Sequence, residues 1–274
     1  MEIIERFALS KHGHDFDCED KIVLSRSHAA IIDGATARTS VKYNGLTTGR
    51  MAAALVSEVI ESLQVDATLQ TILTLLKDHF RAFYARNSIQ LSDYSALLTA
   101  SAAIYSDYYR QIWLIGDCKC RVGNVVYDNP NGIDDITSSL RCFINQSLIL
   151  KGRNPESISE KDPGAQYILP LLKEQFVFQN SFQTRLGSYR YAAIDGRDVP
   201  IDLVKTIELD SEVHEIIMSS DGYPILESTL CESEQQLAMC LRNDPLCIYE
   251  NKSVKCIKSG LVSYDDRAYI RLKI

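Results

Sequence analysis

The chain has 274 residues, 46% of them hydrophobic and 24% charged, with a formal net charge of −7. That length suits one large domain or two small ones with a sizeable core, and the composition is that of an ordinary soluble globular protein. The acidic balance argues against holding nucleic acid by bulk electrostatics, and no apolar run is long enough to span a bilayer.

Apolar alternation and β-branched residues predict strands at residues 3–9, 22–25 and 29–32. The period then changes. Met51, Leu55, Val59 and Leu63 recur every four residues, which predicts an amphipathic helix over 49–63 capped by Thr47 or Thr48. A second helix is expected over 67–86, with Leu69, Leu73, Leu76, Phe80 and Phe83 as its buried stripe. Residues 95–105, 111–115 and 121–127 read as strands joined by tight turns, hence antiparallel neighbours. Residues 133–150 read as helix and 152–164 as an exposed polar loop. Residues 165–178 read as helix again, with Pro170 kinking it or starting its second part. Further strands are expected at 189–194, 203–209, 215–219, 254–258 and 268–273, with one helix over 233–241 between them. With no repeat or clear linker, the chain reads as a single α+β domain of sheets packed together with helices outside.

Eight cysteines are scattered without a CxxC pair. Reduced thiols in the cytoplasm fit this better than a disulfide framework. Cys118 and Cys120 would share one face of a strand and are read as packing rather than as zinc ligands. The opening MEIIERFALSKHGHD lacks the basic-then-apolar order of a secretory signal.

Three apolar runs end in aspartate beside glycine: AAIIDG with Asp33, WLIGD with Asp117 and EIIMSSDG with Asp221. Asp265 and Asp266 precede the last strand, and Glu19 and Asp20 precede an early one. Any single Asp-Gly reads equally as a turn. Together, at strand ends that one sheet rim can gather, they predict a cluster. Carboxylates within about 5 Å of one another repel, and burial raises their pKa values. No lysine or arginine recurs at a fixed position in these motifs, so a divalent cation is the expected counter-charge. Oxygen-only ligands favour Mg²⁺, Mn²⁺ or Ca²⁺. A glycine after the aspartate is expected to let the backbone turn and offer its carbonyl to the ion.

The order ED, DG, GD, SDG, DD, with a helical pair after DG, resembles the metal-dependent serine/threonine protein phosphatases of the type 2C class. The resemblance spans residues 19–272, and IDGAT followed by TTGRMAAALV is similar to bacterial members. It implies a four-layer αββα sandwich of two antiparallel sheets flanked by helices. It implies that Asp33 bridges two Mg²⁺ or Mn²⁺ ions and Gly34 supplies a carbonyl. Asp221 and Asp265 would bind one ion, Glu19 and Asp20 would serve the other partly through water, and Asp117 would sit at a third. The implied reaction is hydrolysis of phosphoserine or phosphothreonine in a phosphoprotein by a metal-bridging water, with Asp33 and Asp221 at the catalytic centre. It needs neither nucleic acid nor membrane, and the motifs leave the oligomeric state open.

Two positions depart from the animal enzymes. Ala35 stands where they carry a histidine, and Asp15 where they carry an arginine that holds phosphate. His12 or His14 is a candidate replacement donor, and Arg38 and Arg50 are candidate phosphate contacts beside their plainer surface reading. The alternative is therefore a weak or inactive phosphatase-like module that binds a partner.

Overall fold

The structure is a computed structural model and describes residues 1–35 and 41–274. The described strands are β1 (Glu2–Leu9), β2 (Lys21–Leu24), β3 (His28–Ala35), β4 (Thr99–Ser106), β5 (Gln111–Ile115), β6 (Lys119–Val122), β7 (Val125–Tyr127), β8 (Lys205–Glu208), β9 (Glu215–Ser219) and β10 (Arg267–Lys273). They form two five-stranded sheets, in the orders β1-β10-β9-β6-β7 and β2-β3-β4-β5-β8. The strand pairs are all antiparallel.

Alternation along the strands builds two apolar layers. Ile31, Ala103 and Leu114 face inward and meet Met218, Ile270 and Leu272 of the other sheet. Their neighbours Ile32, Ile104 and Trp113 face outward, against Leu55, Val59, Ile72 and Phe80. Those last residues lie on α1 (Thr48–Glu61) and α2 (Leu69–Asn87). The Thr47 and Thr68 hydroxyls cap these helices by accepting from the N–H groups of Arg50 and Thr71. On the far side, Leu237 of α6 (Leu230–Asn243) packs with Ile217 and Tyr269. The result is the αββα sandwich expected of the motif order. The expected packing role of Cys118 and Cys120 holds, since both are buried between the sheets.

Three helices stand apart from this stack. These are α3 (Gly132–Leu150), α4 (Pro155–Lys161) and α5 (Pro163–Glu174). Cys142 of α3 and Ile158 of α4 pack with Leu246 and Ile248. Those two residues begin a strap, residues 244–255, that runs from α6 towards β10. Arg141 of α3 is fully buried and holds the strap. Its guanidinium donates to the carbonyls of Leu246, Cys247 and Ser253 and to both carboxylate oxygens of Asp162. Among the described residues no helix is long and apolar enough to cross a membrane.

Several expected elements differ. Residues 152–164 are not a plain loop. Asn154 caps α4 by accepting from the N–H of Glu156, and Pro155 takes the first turn. The last helix of this group starts at Pro163 and carries Pro170 inside it. Residues 121–127 bend at Gly123, which has a φ of +57°, into the β6–β7 hairpin. Residues 189–194 form isolated bridges instead of a strand. Here the Asn180 side chain does the work of a neighbouring strand, accepting from the N–H of Ala193 and donating to its carbonyl. Residues 254–258 are irregular because their backbone pairs with Pro245 and the Ser159 hydroxyl, not with a strand.

Candidate functional site

Antiparallel pairing brings the ends of β3, β5 and β9 to the same edge as the starts of β2 and β10. Glu19, Asp20, Asp33, Gly34, Asp117, Asp221, Asp265 and Asp266 accordingly line one cavity of about 910 Å³. Every acidic residue selected from the sequence is there. Asp33 lies inside β3, opposite Ser101 of β4. Asp117 and Asp221 lie two residues beyond β5 and β9.

The expected turn at Gly34 is absent, because β3 continues through Ala35. Glycine is required there for a different reason. A Cβ on Gly34 would fall 2.2 Å from the Gly49 carbonyl oxygen, and one on Gly49 would fall 2.4 Å from that of Gly34. Two backbones touch, which seats the first turn of α1 directly on β3 beside the cavity.

The carboxylates disturb one another. Burial, then repulsion from Asp265, Asp221 and Asp266, pushes Asp20 well above the usual carboxylate range. Burial, then Asp20, Asp221 and Asp117, does the same to Asp33. Burial and then Asp265 and Asp117 raise Asp221 to about 6, although Lys255 opposes the rise. Burial also raises Glu19, against the Thr47 hydroxyl that donates to its Oε1. Asp20 is 5% exposed, and its Oδ2 is buried with no hydrogen-bond partner. Asp134, in the first turn of α3, also lines the cavity and is raised to about 7 by burial and by Asp117 and Asp221. Nothing in the sequence singles it out, because it lies at the start of a predicted helix rather than at a strand end.

The expectation that no cation of the chain stands beside these acids is overturned. Lys255, on the strap, donates to Asp265 Oδ2. Burial alone would lower this ammonium, but Asp265, Asp221 and Asp33 outweigh it and hold it charged. Half of the Lys255 side-chain surface stays open, so it lies within the cavity rather than in the packed interior. The Lys11 ammonium is 3.3 Å from Asp266 and 3.8 Å from Asp265. Both lysines reach the acids through folding rather than through local pattern. Asp266 serves the backbone, accepting from the N–H groups of Glu19 at 2.7 Å and Lys11 at 3.0 Å.

The other candidates fall away from the cavity. His12, His14 and Arg50 do not line it, and Asp15 lines a neighbouring cleft with Arg6 and Lys21 that shares Asp20 with the cavity. His28 is buried in β3 beside the Ser27 hydroxyl. His79 pairs with Glu58 at 2.8 Å. Arg38 lies outside the described residues.

In kind, the donor set fits a hard divalent cation. It is oxygen-only, it carries surplus negative charge, and it keeps one buried carboxylate oxygen unpartnered. Among the described residues, no three carboxylate, imidazole or thiol groups stand close enough together to close around one ion. Lys255, Lys11 and the Thr47 hydroxyl take up oxygens of Asp265, Asp266 and Glu19.

A two-sheet sandwich with an acid-lined cavity at one end of its strands thus defines the molecule. No protein-family model matches the chain, and no curated protein matches it in sequence. In fold it is similar to the serine/threonine phosphatase Stp1 from Staphylococcus aureus, with a TM-score of 0.49, 13% identity, and 100% of this chain and 97% of that one covered. It is likewise similar to the Mycobacterium tuberculosis serine/threonine phosphatase PstP/Ppp, at 0.48 and 14%, with 99% of each chain covered. A structure of the PstP catalytic domain in complex with two manganese ions matches at 0.48 and 14%, covering 98% of this chain and 97% of that one.

Proposed function

We propose that the chain is a metal-dependent phosphatase acting on phosphoserine or phosphothreonine in proteins. One observation carries this reading: acids from remote parts of the chain, Glu19, Asp20, Asp33, Asp117, Asp221 and Asp265, line a single cavity. Mg²⁺ or Mn²⁺ bound there would activate water and neutralise charge on the phosphoryl oxygens. Asp20 and Asp33 would hold an ion, with Gly34 beside them on β3. Glu19 is positioned by Thr47 at the cap of α1. Lys11, Lys252 and Lys255 line the same cavity and supply positive charge towards a phosphate dianion. That role matters because Asp15 provides none.

The test is hydrolysis of phosphopeptides with Mn²⁺, with and without chelator. Asp33→Ala is expected to lose at least about 10²-fold in rate, in line with removal of a group that organises transition-state charge. No release of phosphate above the chelated control, across several phosphopeptides, would refute the reading.

A second reading has its own observation. Lys255 and Lys11 already neutralise Asp265 and Asp266, which suits a phosphatase-like binding module that needs no metal. Calorimetry separates the two, since such a module takes up no divalent ion at millimolar concentration.

A further inference from the structure

The two ends of the acidic cluster are not alike. At the Asp265 end, each carboxylate oxygen already has a donor. Oδ2 receives the Lys255 ammonium, and Oδ1 receives the Asp266 N–H at 3.1 Å, with the Lys11 ammonium 3.8 Å away. At the Asp20 end, Oδ2 is buried with nothing bonded to it. An ammonium of the chain's own is therefore bonded at Asp265, whereas Asp20 Oδ2 has none.

The Lys255 position is built rather than incidental. The Asp244 carboxylate opens the strap by accepting from the N–H groups of Ile248, Tyr249 and Glu250. Arg141 then fixes the carbonyls of Leu246, Cys247 and Ser253 from below. The Ser253 hydroxyl accepts from the N–H of Lys255 itself at 3.2 Å. These bonds fix the backbone from which the Lys255 side chain reaches Asp265. The carboxylates that face the ammonium are Asp265 first, then Asp221 and Asp33.

From this asymmetry we infer that the Lys255 ammonium takes the place of a divalent cation at the Asp265 end of the cluster, so the chain binds a single metal ion, at the Asp20 and Asp33 end. An ammonium and a divalent ion on the same carboxylate would repel each other at bonding distance. The inference rests on the metal-dependent reading above and narrows it.

The experiment counts ions. Mn²⁺ is titrated into the full chain, bound ion being read by calorimetry and free ion by electron paramagnetic resonance. Lys255→Met keeps the aliphatic stem and removes the charge, and Lys255→Arg keeps the charge. One ion per chain is expected for the unsubstituted protein and for Lys255→Arg, and two for Lys255→Met. Two ions in the unsubstituted protein overturn the inference and leave the metal reading standing. So does a single ion in a Lys255→Met protein whose near-ultraviolet circular dichroism is unchanged. Should Lys255→Met fail to fold, the count on the unsubstituted chain still decides. Binding of no ion by any of the three proteins sinks the metal reading and the inference with it.

Discussion

Replacing Arg141 with methionine tests how the strap is held. The side chain is fully buried, and each of its three nitrogens donates to a partner. It lies 2.9 Å from Asp162 Oδ2, and Asp162 also caps α5 through the N–H of Ala165 and accepts from Asn145. Methionine fills similar space but strands a buried carboxylate and three carbonyls. Breaking a buried pair from one side costs about 3–5 kcal/mol. The Asp162 charge keeps Asn145 and a backbone N–H as partners, which favours the lower half of that range. A chain of this length loses roughly 2–4 °C per kcal/mol, so the melting temperature should fall by about 10 °C. Lysine should do little better, since one ammonium cannot reach both Asp162 and the strap carbonyls. Urea unfolding gives the energy, and trypsin cleavage after Lys252 and Lys255 reports release of the strap. In a double-mutant cycle with Asp162→Asn the losses should be less than additive by about 1–3 kcal/mol. A loss under about 1 kcal/mol, strict additivity, or unaltered cleavage at those lysines would refute the account.

Two further outcomes follow from the cavity. Asp221→Asn should raise stability in chelator by about 1–3 kcal/mol, because it removes one charge from a repelling group, and added Mn²⁺ should erase the gain. Thermal unfolding in both conditions checks this, and destabilisation in chelator would contradict it. Gly34→Ala should cost about 1–3 kcal/mol through overpacking against Gly49. An unchanged unfolding midpoint would mean that α1 does not rest on β3 as described.

Local pattern carried the parts of this fold that are decided locally. The stripe of Met51, Leu55 and Val59 and the Thr47 cap announce α1. The alternation of Ile31 and Ile32 between two apolar layers follows from strand periodicity. The strand-end acids were legible because their spacing against apolar runs survives in one dimension. What failed depended on distant partners. Residues 189–194 read as a strand, yet the Asn180 side chain supplies the pairing. Residues 254–258 carry alternating apolar residues, yet their backbone is claimed by Pro245 and Ser159. Lys11 and Lys255 look like surface lysines in the sequence, since nothing near Lys11 signals a pairing with Asp266, 255 residues away. Gly34 was read for its conformational freedom, whereas its smallness is what the contact with Gly49 uses.

The strap is fastened twice, to α3 by Arg141 and to the last strand's entrance by Lys255. Both contacts act on one short segment, so loosening the first leaves the second to hold it. A helix residue that never touches the acids therefore governs how much positive charge they feel. Substitution at Arg141 is therefore expected to loosen the hold of Lys255 on Asp265 together with the loss of stability.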